Sequence, residues 1–233
     1  MAVAVFAALG VWQVQRLHWK HALIARVDAR VHAAPVGVPA NARLAGAGAK
    51  ELEYLRVRLP GVYQGEATAL VRAATALGTG YWTMTPLRLD DGRQVWINRG
   101  FVPEGTKRAV AAASAPAGRV AVIGLMRSDE AGGSLLQANR PQDDRWYSRD
   151  VAAMARARGI GAVAPVFVDA QVEQGGVEQG GVEQGGQAAS ARVRPVPGLT
   201  QISFPDNHLM YALTWFAMAL LSAFGLAYIW RRA

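Results

Sequence analysis

The chain has 233 residues, 52% of them hydrophobic, and a formal net charge of +8. It contains no cysteine, which excludes disulfides, cysteine-based zinc sites, thiol catalysis and covalent c-type haem attachment. Its 25 Lys and Arg are scattered without a run of five, so the clustered basic face of a nucleic-acid interface is missing, and attraction to anionic lipid is the expected use of the surplus charge.

Met1 to Trp12 is apolar throughout; Gln13 and Arg16 then interrupt it, short of the ~20 residues that a membrane span requires. No basic segment precedes this stretch and no small-residue cleavage site follows it, as a secretory signal needs. It is apolar all round, unlike a soluble amphipathic helix. The expectation is the outer half of a first transmembrane helix, residues 1–24, whose initial residues precede this chain. From Leu9 onward, Leu9, Trp12, Arg16, Trp19 and Leu23 share a narrow helical arc. Trp12 and Trp19 suit the aromatic belt, with Arg16 and Lys20 reaching for headgroups. Residues 25–52 follow as a membrane-proximal helix, ending before Pro35, and a linker.

Residues 53–204 are expected to form an exoplasmic β-rich domain, an antiparallel sheet or partly closed barrel with one short helix. Alternation marks a strand from Tyr54 to Leu59, a second near Leu70, and a third from Thr83 into Asp90-Asp91-Gly92. Gln94 to Phe101 answers as its hairpin partner, since Gly92 supplies the positive φ of a tight turn. Further strands are expected at Arg119 to Met126, Pro165 to Ala170 and Leu199 to Phe204. Asp150 caps a short helix, Val151 to Arg158, which Gly159 closes. Val172 to Gly186 is VEQGG written three times. Two glycines per repeat make packing entropically poor, so a flexible loop between strands is expected.

His208 to Trp230 holds 23 residues without Asp, Glu, Lys or Arg. At ~1.5 Å per residue it reaches roughly 34 Å, enough to cross a hydrocarbon core of about 30 Å. Arg231 and Arg232 follow at once and favour a cytoplasmic C-terminus, with the preceding domain on the other side.

Among residues that could carry chemistry, no G-x-S-x-G, Walker loop or H-E-x-x-H occurs, and the four histidines, at 18, 21, 32 and 208, all flank the apolar segments. A hydrolase built on carboxylates would have only generic candidates such as Asp143 and Asp144. His18 and His21 lack a third metal ligand and suit interfacial roles. His208 shares a helix face with Tyr211, Ala212, Trp215, Ala219 and Ser222. Small residues there admit a partner helix or a flat macrocycle. Two readings stay open: an interfacial histidine bonded to headgroups, and an axial haem ligand.

Several stretches occur together and in order: LGVWQVQRLHWKHALI from Leu9, GVY at 61–63, GTGYWTMTPL at 78–87, DGRQVWINRGFVP at 91–103, and NHLMYALTWFAMALL at 207–221. In these the chain resembles the Surfeit locus protein 1 (Surf/Shy) family of cytochrome c oxidase assembly factors, from about Leu9 to the C-terminus. The resemblance implies two transmembrane helices around a periplasmic domain in the bacterial inner membrane. It implies a non-enzymatic role in haem-copper oxidase assembly: receiving haem a and handing it to oxidase subunit I, with haem a synthase a further partner beside the lipid bilayer. It turns the His208 alternatives toward a haem ligand, with Tyr211, Trp215, Trp12 and Arg16 as further haem contacts. Gln13, the Asn98-Arg99-Gly100 turn, Ala212 and Ala219 become partner-binding candidates. Phe101 stands where the family often has Trp, and the VEQGG array is an insertion. A scaffold that holds oxidase subunits without touching haem is the alternative function.

Overall fold

The structure is a computed structural model that describes residues 1–134, 137–177, 194–199 and 206–232. In chain order its elements are helix α1 (Ala2–His32), strand β1 (Val36–Gly37), helices α2 (Asn41–Leu44) and α3 (Gly48–Glu51), and strands β2 (Arg56–Tyr63), β3 (Ala69–Thr75), β4 (Gly78–Leu89) and β5 (Gln94–Pro103). Helix α4 (Arg108–Ala113), strand β6 (Ala117–Ser128), helix α5 (Val151–Arg158), strand β7 (Val166–Val177) and helix α6 (His208–Arg232) complete it. Two compact units result, residues 1–30 with 201–233, and residues 31–200.

The second unit is built on a strand ring. Pairings β2–β6, β6–β7, β7–β5, β5–β4 and β4–β2 close five strands into a barrel, with β1 and β3 added beside β2 and β4. Closure exceeds the partly closed sheet expected, and the sheet is not antiparallel throughout: β5 and β7 run parallel, as do β1 and β2. A parallel pair needs a long crossover, and the stretch through α4, β6 and α5 supplies it.

Strand β2 shows why this sequence makes a barrel wall. Val57, Leu59, Gly61 and Tyr63 are buried while Arg58, Pro60 and Val62 are exposed, a strict period of two. The inward residues join Leu87, Val95, Ile97, Val122, Val166 and Val168 in the barrel core. A second core lies where Trp96, Phe167, Val71 and Met84 pack with Trp146 and with Val151 and Met154 of α5. This explains why β5 is buried on both faces rather than alternating. The Trp96 indole donates to the Val151 carbonyl at 3.1 Å. Helix α5 has the expected ends: Asp150 accepts from the Ala153 N–H at 2.8 Å, and Gly159 takes the left-handed conformation at φ 64°.

The β4–β5 hairpin turns at Asp91-Gly92, where Gly92 has φ 83°. Further along, Trp82 pairs with Phe101 but Met84 pairs with Asn98, so Thr83 faces both Arg99 and Gly100. Asn98-Arg99-Gly100 is therefore a bulge inside β5, not the turn expected from the motif.

Two expectations meet the edge of the described residues. Val172 to Val177, the start of the VEQGG array, belongs to β7 and pairs with β6, which corrects the loop expectation there; the rest of the array lies outside the described residues. So does the strand expected from Leu199 to Phe204, apart from Leu199, which is not in a strand.

In the first unit, α6 is the one helix among the described residues that is long and apolar enough to cross a membrane. Helix α1 runs 31 residues but does not qualify, because Gln13, Gln15, Arg16 and His18 break up its apolar stretch. The two expected spans are thus one candidate span and one long mixed helix.

Candidate functional site

Within the first unit, α1 and α6 lie against each other in opposite directions. Phe6 stacks on Trp215 with ring centroids 5.8 Å apart. A Cβ on Gly10 would stand 2.6 Å from the Phe216 ring, so only glycine allows this approach. Further along, His21 Nε2 lies 2.9 Å from an Asp206 carboxylate oxygen, and the other Asp206 oxygen accepts from the His208 N–H at 3.2 Å. Asp206 thus forms an Asx turn onto the first residue of α6, while the Asn207 carbonyl accepts the first helical bond from Tyr211 N–H at 3.1 Å.

The His208 imidazole sits at this crossing, half-buried, with Nδ1 2.7 Å from the Gln13 Oε1. Gln13 is itself buried on α1. Of the haem contacts implied by the resemblance, Trp215 is half-buried against Phe6, while Tyr211 and Trp12 are exposed. Arg16 is exposed and places its guanidinium 4.0 Å over the Trp19 ring. Ala212 and Ala219 are buried inside the unit, so the chain itself covers the small-residue face offered above to an outside partner. Gln13 likewise turns inward to His208. Among the described residues no group of three His, Cys, Asp or Glu could hold a metal ion on its own.

The other partner-binding candidates are internal too. Asn98 and Arg99 are nearly inaccessible at 5% and 6% exposure, with their side chains engaged inside the chain. Asn98 donates to Asp169 at 2.8 Å and accepts from the Gly100 N–H at 3.1 Å, pinning the bulge. Gly100 has φ 127°, and a Cβ there would lie 2.3 Å from the Val196 carbonyl oxygen. Arg99 forks onto Glu173 at 2.9 and 3.1 Å, bonds Ser114 twice, and lies 5.1 Å from the centroid of the Tyr63 ring. The Tyr63 hydroxyl donates to Glu173 at 2.6 Å. Burial first, then the Glu173 charge, pushes the Tyr63 phenol well above its ordinary value, so it stays a neutral donor.

A second polar cluster joins neighbouring strands. Arg127 bonds Asp169 at 3.2 Å and Glu53 at 3.1 Å, and Arg149 pairs with Glu130 while its guanidinium lies 4.6 Å over the Phe167 ring. Neither cluster was foreseen from the sequence. The usable signal was charge at positions where strand alternation points inward, as for Arg99 after Val95 and Ile97. Of the carboxylates considered for hydrolysis, Asp144 is engaged by Arg158 and the Trp146 indole.

A model of the SURF1 family matches residues 1–220. Surfeit locus protein 1 of Homo sapiens is 29% identical over 95% of this chain and 71% of its own. The Mus musculus protein of the same name is 28% identical, covering 95% and 70%. The SURF1-like protein of Monosiga brevicollis is 30% identical over 92% of this chain and 79% of its own. The family match takes in α1 with Gln13, the whole barrel with its Asn98 to Gly100 bulge, and the start of α6 with His208, so this chain belongs to the SURF1 family.

Proposed function

We propose that this protein is a membrane-anchored assembly factor for haem-copper cytochrome c oxidase, receiving haem a at the α1–α6 crossing and passing it to oxidase subunit I. The observation that carries the reading is His208, a half-buried imidazole at the start of the one candidate span, held by a side chain of the facing helix. Imidazole nitrogen is a usual axial donor to haem iron. Tyr211 and Trp215 lie one and two turns along α6 and offer apolar ring faces to a macrocycle, and the exposed Arg16 and Trp12 of α1 offer a cation and a further ring. When bound, haem supplies the iron that His208 ligates. The protein contributes affinity, which must exceed that of the preceding carrier and fall below that of subunit I. It carries out no bond chemistry and is not an enzyme in this account.

In the bacterial inner membrane, α6 crosses with Arg231 and Arg232 in the cytoplasm. Helix α1 pairs with it as a second span, and the barrel faces the periplasm. Haem a synthase is the proposed donor and subunit I the recipient.

The test is titration of haem a into the full chain reconstituted in lipid nanodiscs. The wild type shifts the Soret band, and His208→Ala loses the shift and at least tenfold in affinity. An unchanged spectrum and affinity in His208→Ala refutes the ligand role. Co-purification of subunit I that survives His208→Ala and loss of haem synthesis would move the account to a scaffold that never touches haem.

A further inference from the structure

The contact between His208 and Gln13 contains more information than proximity. A neutral imidazole carries one N–H, and the nitrogen without it carries the lone pair that can bind a metal. The Gln13 atom that faces His208 Nδ1 at 2.7 Å is the carbonyl oxygen, which has lone pairs and no proton to give. With the amide oriented in this way the proton in that bond sits on Nδ1, and Nε2 is left as the donor nitrogen. Gln13 is buried, and it is a turn away from Gly10, against which the Phe216 ring of α6 packs. A buried amide has a strong demand for a partner. Asp206 accepts from the His208 backbone and pairs with His21, so it holds the residue from the other side without competing for the ring.

We infer that Gln13 is a positioning residue that holds His208 in the Nδ1–H tautomer and presents Nε2 as its coordinating nitrogen, a role distinct from the outward partner contact suggested by its motif. The use of that nitrogen for haem rests on the function proposed above; the tautomer does not. Second-sphere acceptors of this kind orient a ligating imidazole and raise its basicity, and their removal typically weakens metal binding about 10- to 100-fold.

The experiment uses the full chain in nanodiscs with 15N-labelled histidine. The His208 resonances are identified by their loss in His208→Ala. The expected wild-type spectrum shows a protonated Nδ1 and an unprotonated Nε2. Gln13→Leu gives a mixture of tautomers, and Gln13→Glu, which keeps an acceptor oxygen, retains the Nδ1–H form. In parallel, haemin titration is expected to show binding by Gln13→Leu about 10- to 100-fold weaker than wild type, with Gln13→Glu restoring it to within a few fold. An Nε2–H tautomer in the wild type overturns the inference, as does a Gln13→Leu protein with the wild-type tautomer. Haemin that fails to bind the wild type overturns the proposed function, while the tautomer comparison still decides the role of Gln13. Gln13→Glu keeps the test available should Gln13→Leu fail to fold.

Discussion

Arg99 and Glu173 meet where each would be costly alone. The Arg99 side chain is 5% exposed and its guanidinium is matched by two oxygens of one carboxylate. Removing Glu173 leaves a buried cation without its partner, an effect of about 3 kcal/mol or more for a pair of this kind. Glu173→Ala is therefore expected to lower chemical-denaturation stability by about that amount, while Arg99→Leu combined with Glu173→Leu recovers most of it; equal losses in both would refute the pairing argument. Glu130 allows a pH test. Burial raises its carboxyl, but the hydrogen bonds and charge of Arg149 outweigh burial and hold it below its ordinary 4.5. A depressed carboxylate contributes stability that is present above its unfolded value and is lost as pH falls through the folded one. Melting temperature against pH should therefore lose part of its decline below 4.5 in Glu130→Gln. Neighbouring Asp129 is raised by burial and acts with the opposite sign, so the difference between wild type and variant carries this test. At this scale the sequence pointed to Asn98, Arg99 and Gly100 as important through their motif, but not to their role. The side-chain partners of Asn98 and Arg99 across the fold are 15 to 74 residues away, and such pairing is set by the fold.

Strands β2 to β7 and helix α5 follow local signals: alternation, the Asp91-Gly92 turn, and the Asp150 and Gly159 caps. The misses have a common physical cause, pairing that overrides local preference. Val172 to Val177 looks like a glycine-rich linker in isolation, yet β6 supplies hydrogen-bond partners as far as Val177. The opening of β4 at Gly78 to Thr83 is also glycine-bearing, and β3 holds it in register down to Gly78. The β5 bulge is the element most dependent on one residue. Gly100→Ala must place a Cβ into the Val196 carbonyl at a backbone angle that disfavours side chains. A loss of roughly 2–4 kcal/mol is expected, read as a lower melting temperature. A Gly100→Ala protein as stable as wild type would show that the bulge and the approach of Val196 are not required.

For the whole molecule, strand count and alternation do not determine which strands close the ring. The parallel β5–β7 seam depends on contacts across 71 residues, and no local pattern encodes it. Family membership was legible because ordered motifs sample both units at once, and it holds over residues 1–220. The position of His208 at the head of the candidate span was legible from charge and length alone. Its engagement with Gln13 was not, since the two are 195 residues apart. The most direct measurement is the haem a content of oxidase purified from cells that lack their own member of this family and carry this chain in its place. The account predicts that the wild-type chain restores haem a to the oxidase and that His208→Ala, present in the membrane at equal amount, does not. Full haem a content with His208→Ala would contradict it.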